Sequence, residues 1–174
     1  MALYDAVQVC QMRKEQENAV KHGEVAANYL SQALETKPSP TTTFLLGRLY
    51  FRLGSIHALH DRDHQKAVAW YDKALPLLDR SLPEEVISDV GRHGEGFVSM
   101  GVSYWEVGQP GKAIGLTQKG IKWMERAVAE GTLQRTSLMV PYNNLASMHR
   151  KQGADDKADR YEEMAARVKS EKLK

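Results

Sequence analysis

The 174-residue sequence predicts an all-α fold, namely an α-solenoid built from about four antiparallel helix pairs. The first observation behind this prediction is an internal repeat: Tyr50–His57, Phe97–Tyr104 and Tyr142–His149 superimpose when the chain is compared with itself. Each segment has an aromatic residue, a large apolar residue three positions later, then Gly or Ala, and finally Tyr or His. The second observation is that apolar residues recur at spacings of three and four, which is the period of a helix. Repeats of this size indicate stacked helix pairs.

Each repeated segment is followed by a turn and then by a predicted second helix. An alanine recurs 12 or 13 residues after the small residue of the segment, and another small residue follows seven positions later. These positions are Ala67 and Ala74, Ala113 and Gly120, and Ala158 and Ala165. The N-terminal residues 23–38 match only the second half of the unit. We therefore expect one domain over residues 1–174, with repeat units at about 2–38, 40–80, 82–131 and 132–172.

Capping residues predict where the helices begin and end. Ser81 with Glu84 matches a capping box, and Pro110 suits the first turn of a helix. Gly131 is expected just past a helix end, where glycine is favoured. Turns within the pairs are expected at Gly23, Gly108 and Gly153.

Small residues at equivalent repeat positions predict where paired helices cross. A glycine inside a helix costs roughly 1 kcal/mol relative to alanine, so its recurrence calls for a packing reason. We expect Gly54, Gly101 and Ala146 to lie at the crossings and to face the first recurring alanine of the second helix. Small side chains at these positions allow the two helix backbones to approach closely.

Other glycines of the third repeat have a less regular pattern. Gly115 and Gly120 are expected to serve the interface with the next repeat. The glycines at 91, 94 and 96 leave two interpretations open: close packing of a continuous long helix, or a break in that helix.

The repeated pattern resembles the tetratricopeptide repeat, in which an aromatic residue, a Leu-Gly pair and a Tyr mark the first helix, and Ala, an aromatic residue and Ala mark the second. The family unit has about 34 residues. Equivalent alanines here are 41, 46 and 45 residues apart, so the repeats are similar to longer-helix members such as those of kinesin light chain. This resemblance implies a right-handed superhelix whose first helices line a concave groove that binds an extended peptide or a partner helix.

The resemblance also implies which residues line the groove. An asparagine amide can pair with a peptide backbone, an arginine can bind carboxylates, and a tryptophan can anchor the centre of an interface. The alternatives are that the asparagines only satisfy nearby loops, that the arginines are solvated, and that Trp105 is buried within the stack. The implied residues are Arg48, Phe51, Arg52 and Ser55 in the second repeat, Glu95, Val98, Ser99, Val102, Trp105 and Glu106 in the third, and Asn143, Asn144, Ser147, Arg150 and Lys151 in the fourth.

Composition and motifs argue against several other classes of protein. A net charge of +2 is too small to predict binding to nucleic acid or to an anionic membrane, and no apolar run approaches the ~20 residues of a membrane span. Cys10 is the single cysteine, so no disulfide within the chain is expected, and a cytoplasmic location is the default. No nucleophile or paired carboxylates predict an enzyme, and no cofactor is expected.

A metal site is not predicted at the histidine-rich stretch either. His57, His60 and His64 lie near Asp61 and Asp63. However, the first of these histidines occupies the repeat position that a tyrosine fills in the third repeat, and the others fall in a turn. We interpret them as packing and surface residues.

Two functions remain after these exclusions. The first is a protein-interaction module that binds a protein or peptide partner in the groove. The alternative is a self-association module that builds homo-oligomers by packing its repeats. RNA binding is disfavoured by the near-zero charge and by the carboxylates of Glu95 and Glu106.

Overall fold

The computed structural model describes Cys10 and residues 15–80 and 83–171, and it is all-α over these residues. No β-strand occurs among them, which confirms the predicted class. The predicted capping residue Ser81 lies outside the described residues. The helices are α1 (Gln16–Thr36), α2 (Pro40–Ile56), α3 (His64–Leu78), α4 (Val90–Glu106), α5 (Pro110–Ala129), α6 (Met139–Lys151) and α7 (Asp155–Glu171).

The chain forms two compact units, Met1–Ser88 and Asp89–Lys174. The first unit holds α1 to α3, and the second holds α4 to α7. In each unit, helices that follow one another along the chain pack together as pairs. These pairs are α2 with α3, α4 with α5, and α6 with α7.

In the first unit, α1 runs without interruption through Gly23, so the predicted turn at this glycine is wrong. Gly23 is buried against α2, and a Cβ atom there would lie 2.5 Å from Cδ2 of Leu53. The glycine therefore serves close helix packing and not chain reversal.

The hairpin α2–α3 has well-defined ends. The Ser39 hydroxyl accepts a hydrogen bond from the Thr42 amide, and Pro40 opens the first turn of α2. A π-helical turn, His57–Asp61, extends the helix, and the chain then reverses at Arg62, whose φ is 54°. The Asp63 carboxylate caps α3 by accepting a hydrogen bond from the Lys66 amide at 2.9 Å. This cap therefore fixes the residue at which α3 begins.

In the second unit, α4 is continuous over its three N-terminal glycines. Its cap is Asp89, whose carboxylate accepts a hydrogen bond from the Arg92 amide at 2.8 Å. The helix then runs unbroken from Val90 to Glu106, so the interpretation with a helix break is wrong. Close packing explains Gly94, since a Cβ atom there would lie 2.7 Å from the carbonyl oxygen of Gly120.

The turns of the second unit are those predicted from its glycines. Gly108 and Gly153 lie between paired helices with φ of 77° and 73°, and Gly131 follows α5 with φ of 73°. Only glycine adopts this left-handed conformation without strain. The three positions are therefore confirmed.

The predicted helix crossings at Gly54 and Gly101 are confirmed as well. A Cβ atom added to Gly54 or Gly101 would lie 2.9 Å from the carbonyl oxygen of the facing alanine, Ala67 or Ala113. In the last pair, both Ala146 and the alanine predicted to face it, Ala158, are buried. In α2–α3 and α4–α5, the small residues therefore allow the two helix backbones to approach closely.

Two glycines of α5 are placed differently from the prediction. Gly120 packs within its own pair, because an added Cβ would lie 2.6 Å from the Gly94 carbonyl oxygen and 3.0 Å from the Val98 amide nitrogen. Gly115 is exposed, with no atom within 4 Å of an added Cβ. Neither glycine therefore serves the interface with the next pair.

Candidate functional site

The α4–α6 groove lies between the first helices of the two pairs of the second unit. At one end, Nζ of Lys151 lies 5.8 Å from the centre of the Trp105 ring. At the other end, Glu95 and Val140 line the same depression, so α4 and α6 run in the same direction. The depression has a volume of about 390 Å³ and is lined by Glu95, Val98, Ser99, Met124, Ser137, Val140 and Pro141.

The α4 side of the groove contains the predicted residues of the third repeat. Glu95, Ser99 and Val102 are exposed, whereas Val98 is buried and forms part of the floor. Trp105 is half-buried, so its ring is available on one side. Val98 therefore supports the groove more than it offers a surface of its own.

The α6 side offers amide and apolar groups. Asn143 is exposed and Asn144 is half-buried, and neither side chain makes a hydrogen bond within the described part of the chain. The structure therefore does not support the alternative in which these amides form hydrogen bonds with neighbouring loops. Val140, which sequence reasoning missed, is 63% exposed and precedes Asn144 by one helical turn. The sequence signal that could have identified Val140 is this four-residue spacing, which places it on the predicted groove face.

Arg150 holds α6 against α7. Its guanidinium donates hydrogen bonds to Asp155, Asp159 and Glu162 of α7, at 3.1, 2.7 and 2.9 Å. These carboxylates raise the pKa of Arg150, in the order Asp159, Glu162 and Asp155. The predicted bond to a peptide carboxylate therefore competes with three partners inside the same helix pair.

The predicted residues of the second repeat lie on α2 in the first unit, and two of them, Phe51 and Ser55, contact Tyr71 of α3. The Phe51 ring stacks on Tyr71 with centroids 5.8 Å apart, and the Arg48 guanidinium lies 5.7 Å from the centre of the Phe51 ring. The Ser55 hydroxyl donates to the Phe51 carbonyl at 2.9 Å. Arg52 is half-buried on the same helix. Phe51 and Ser55 therefore take part in packing within the α2–α3 hairpin.

The histidine-rich stretch forms a small hydrogen-bonded cluster. His57 and His60 each bring Nδ1 to the Asp61 carboxylate, at 2.7 and 3.0 Å. These hydrogen bonds, with that of His60 the larger contribution, lower the pKa of Asp61. No group of three or more ligating side chains in the described residues is arranged to hold a metal ion.

Within the described ranges, no helix combines the length and apolarity that a bilayer span requires. No model of a known protein family matches the sequence, and no curated protein is similar to it.

A solved structure does share the fold. The chain is similar to the crystal structure of BtubC (BKLC) from P. vanneervenii, with a TM-score of 0.71 and 16% sequence identity. The likeness covers 96% of this chain and 61% of that chain, so this chain spans less than two thirds of its neighbour's length. It supports a helical-repeat fold like that of tetratricopeptide and kinesin light chain repeats, and it confirms the predicted all-α solenoid class.

Proposed function

We propose that the chain is a protein-interaction module whose α4–α6 groove binds an extended peptide. The observation that carries the proposal is the pair of unbonded amides on α6, Asn143 and Asn144, beside an apolar floor. An amide offers both a donor and an acceptor, so it can pair with the backbone of an extended peptide of any sequence. A non-enzymatic, cytoplasmic role belongs to the same proposal.

The groove favours a peptide with an apolar side chain next to an acidic one. Val102, Val140 and the Trp105 ring provide the apolar contacts. Lys151 lies beside that ring and is exposed, so it can pair with a carboxylate at this end. Glu95 at the opposite end disfavours a peptide that is acidic throughout. The orientation of the peptide would follow from this charge difference.

A peptide array tests the proposal. An array of peptides of about ten residues identifies a binder, and fluorescence anisotropy then gives its Kd for the wild type and for Asn144→Ala. Loss of one buried hydrogen bond predicts a Kd about fivefold higher. Asn28→Ala removes an exposed amide from α1 and should leave the Kd unchanged. Unchanged affinity in both Asn143→Ala and Asn144→Ala would contradict the groove assignment.

The second candidate function is self-association through α1. Val25 and Tyr29, four residues apart on one helix face, are large apolar side chains that are well exposed, Tyr29 by 68%. Exposed apolar neighbours favour burial against a second copy. Sedimentation velocity over a range of concentrations should show a dimer that Tyr29→Ser weakens. A monomer at every concentration would remove this candidate.

A further inference from the structure

A second depression in the Asp89–Lys174 unit, the α5–α7 cleft, lies between the second helices of its two pairs. Its volume is about 580 Å³, larger than that of the α4–α6 groove. The floor is apolar and aromatic, with Ile121 from α5, Tyr142 from α6, and Tyr161 and Met164 from α7. Such a floor suits an apolar side chain of a ligand.

Aromatic stacking holds the floor in place. The His149 and Tyr161 rings are parallel within 4°, with centroids 5.7 Å apart. The Tyr142 ring also stacks on Tyr161, with centroids 6.3 Å apart. Gln118 donates a hydrogen bond to the Tyr161 hydroxyl at 3.4 Å. The Tyr142 hydroxyl donates to Glu125 at 2.7 Å. The cleft is therefore organised before any ligand arrives, which lowers the entropy cost of binding.

One polar atom in this cleft has no partner. His149 is only 5% exposed, and its Nε2 atom makes no hydrogen bond in the described structure. Burial, followed by the charge of Lys157, lowers the pKa of His149, so the ring is neutral at pH 7 and Nε2 can form one hydrogen bond. Nε2 is closed off from solvent by the groups around it, so His149 supports the floor of the cleft through its ring and offers no direct contact to a ligand.

The rim of the cleft is positively charged. Lys122, Lys157 and Arg160 are exposed, and none of them forms an ion pair with another described residue. The one acidic residue lining the cleft is Glu125, whose carboxylate already accepts the Tyr142 hydroxyl. Three unpaired cations around an apolar floor favour a ligand that carries carboxylates beside an apolar side chain.

We propose that the α5–α7 cleft binds an acidic segment of a partner protein, with its carboxylates on Lys122, Lys157 and Arg160 and its apolar side chain on the aromatic floor. Although α6 contributes to both depressions, the residues that line this cleft are different from those that line the α4–α6 groove, so the proposal does not depend on that groove. A nucleic acid fits less well, because bases bind by stacking on aromatic rings, and the Tyr142, Tyr161 and His149 rings of the floor already stack on one another.

The test uses a fluorescein-labelled pentapeptide of sequence Glu-Glu-Leu-Glu-Glu and the full chain. Anisotropy titration at low salt should give saturable binding, and the matched peptide with glutamine in place of glutamate should bind at least about tenfold more weakly. Binding that is equal for the two peptides, or absent for both, would overturn the proposal.

Variants locate the site. The double substitution Lys157→Ala with Arg160→Ala should raise the Kd of the acidic peptide about tenfold. Lys169→Ala removes an exposed charge from the same helix outside the cleft and should leave the Kd unchanged. An equal loss of binding in Lys169→Ala would show nonspecific attraction to α7 and overturn the assignment.

One more substitution and a nucleic-acid probe separate this site from its alternatives. Asn144→Ala in the α4–α6 groove should have no effect, and weaker binding there would place the acidic peptide in the groove instead. Tighter binding of an oligouridylate, sensitive to the same cleft variants, would identify a nucleic-acid site and overturn the proposal.

Discussion

The hairpins α2–α3 and α4–α5 use the same contact position with different neighbours. At Gly54 of the first hairpin and Gly101 of the second, an added Cβ would lie equally close to the carbonyl oxygen of the facing alanine. The nearest neighbour of the added Cβ is the Tyr71 ring in one hairpin and the Thr117 hydroxyl in the other. The repeat therefore conserves the approach of the two backbones, while the residue one turn further along the second helix is free to vary.

A second contact, seven residues earlier, separates the hairpins more clearly. Gly47 faces side-chain atoms, with Cδ2 of Leu78 2.8 Å from an added Cβ. Gly94 faces backbone, because Gly120 replaces the alanine found at the equivalent position of α3. Side chains can move aside and backbone cannot, so the same glycine should be more necessary in α4–α5 than in α2–α3.

The largest expected effect is that of Gly120→Ala. The new methyl group would overlap the Gly94 carbonyl and the Val98 amide, which outweighs the gain in helix propensity. We expect a loss of about 2 kcal/mol in the free energy of unfolding, measured by urea denaturation. Gly115→Ala is the matched control, and it should stabilise the chain by about 0.5–1 kcal/mol because its site is open. Equal effects of the two substitutions would show that backbone contact is not the cause.

A smaller effect is expected for Gly47→Ala. Here Leu78 can change its rotamer to accommodate the methyl group, so the loss should be about 1 kcal/mol or less. The same urea denaturation compares it with Gly94→Ala, which should cost more. A reversed order would contradict the distinction between the hairpins.

The third prediction extends the comparison to the last pair, where His149 fills the repeat position of Tyr104. Burial lowers the pKa of His149 from its ordinary value of 6.5. Below pH 6.5 the unfolded chain then binds more protons than the native one. The contribution of His149 to the free energy of unfolding is therefore fully present above pH 6.5 and is lost as the pH falls through the lowered pKa. We expect His149→Phe to lose less stability than the wild type between about pH 7.5 and about pH 5.

Urea midpoints over this pH range provide the measurement for the third prediction. Tyr104→Phe changes the same position of the third repeat without a group that titrates there, so its pH profile should parallel that of the wild type. Parallel profiles for His149→Phe and the wild type would contradict the prediction.

Sequence reasoning reached the helices, most turns and the crossing glycines because these recur at fixed spacing. It failed at Gly23, where the incomplete first repeat gave no equivalent position to separate a packing glycine from a turn glycine. It also failed at Gly120, because spacing shows that a residue must be small but not which helix it meets. The three partners of Arg150 depend on the angle between α6 and α7, which the sequence does not specify.

The glycine-rich start of α4 has a consequence for the order of folding. Gly91, Gly94 and Gly96 together lower the intrinsic stability of this helical segment by roughly 3 kcal/mol relative to alanine. Isolated helices of this length are already marginal in water. We therefore expect the N-terminal half of α4 to become helical only when α5 docks on it, and amide hydrogens in the two segments should exchange with solvent through one shared opening event.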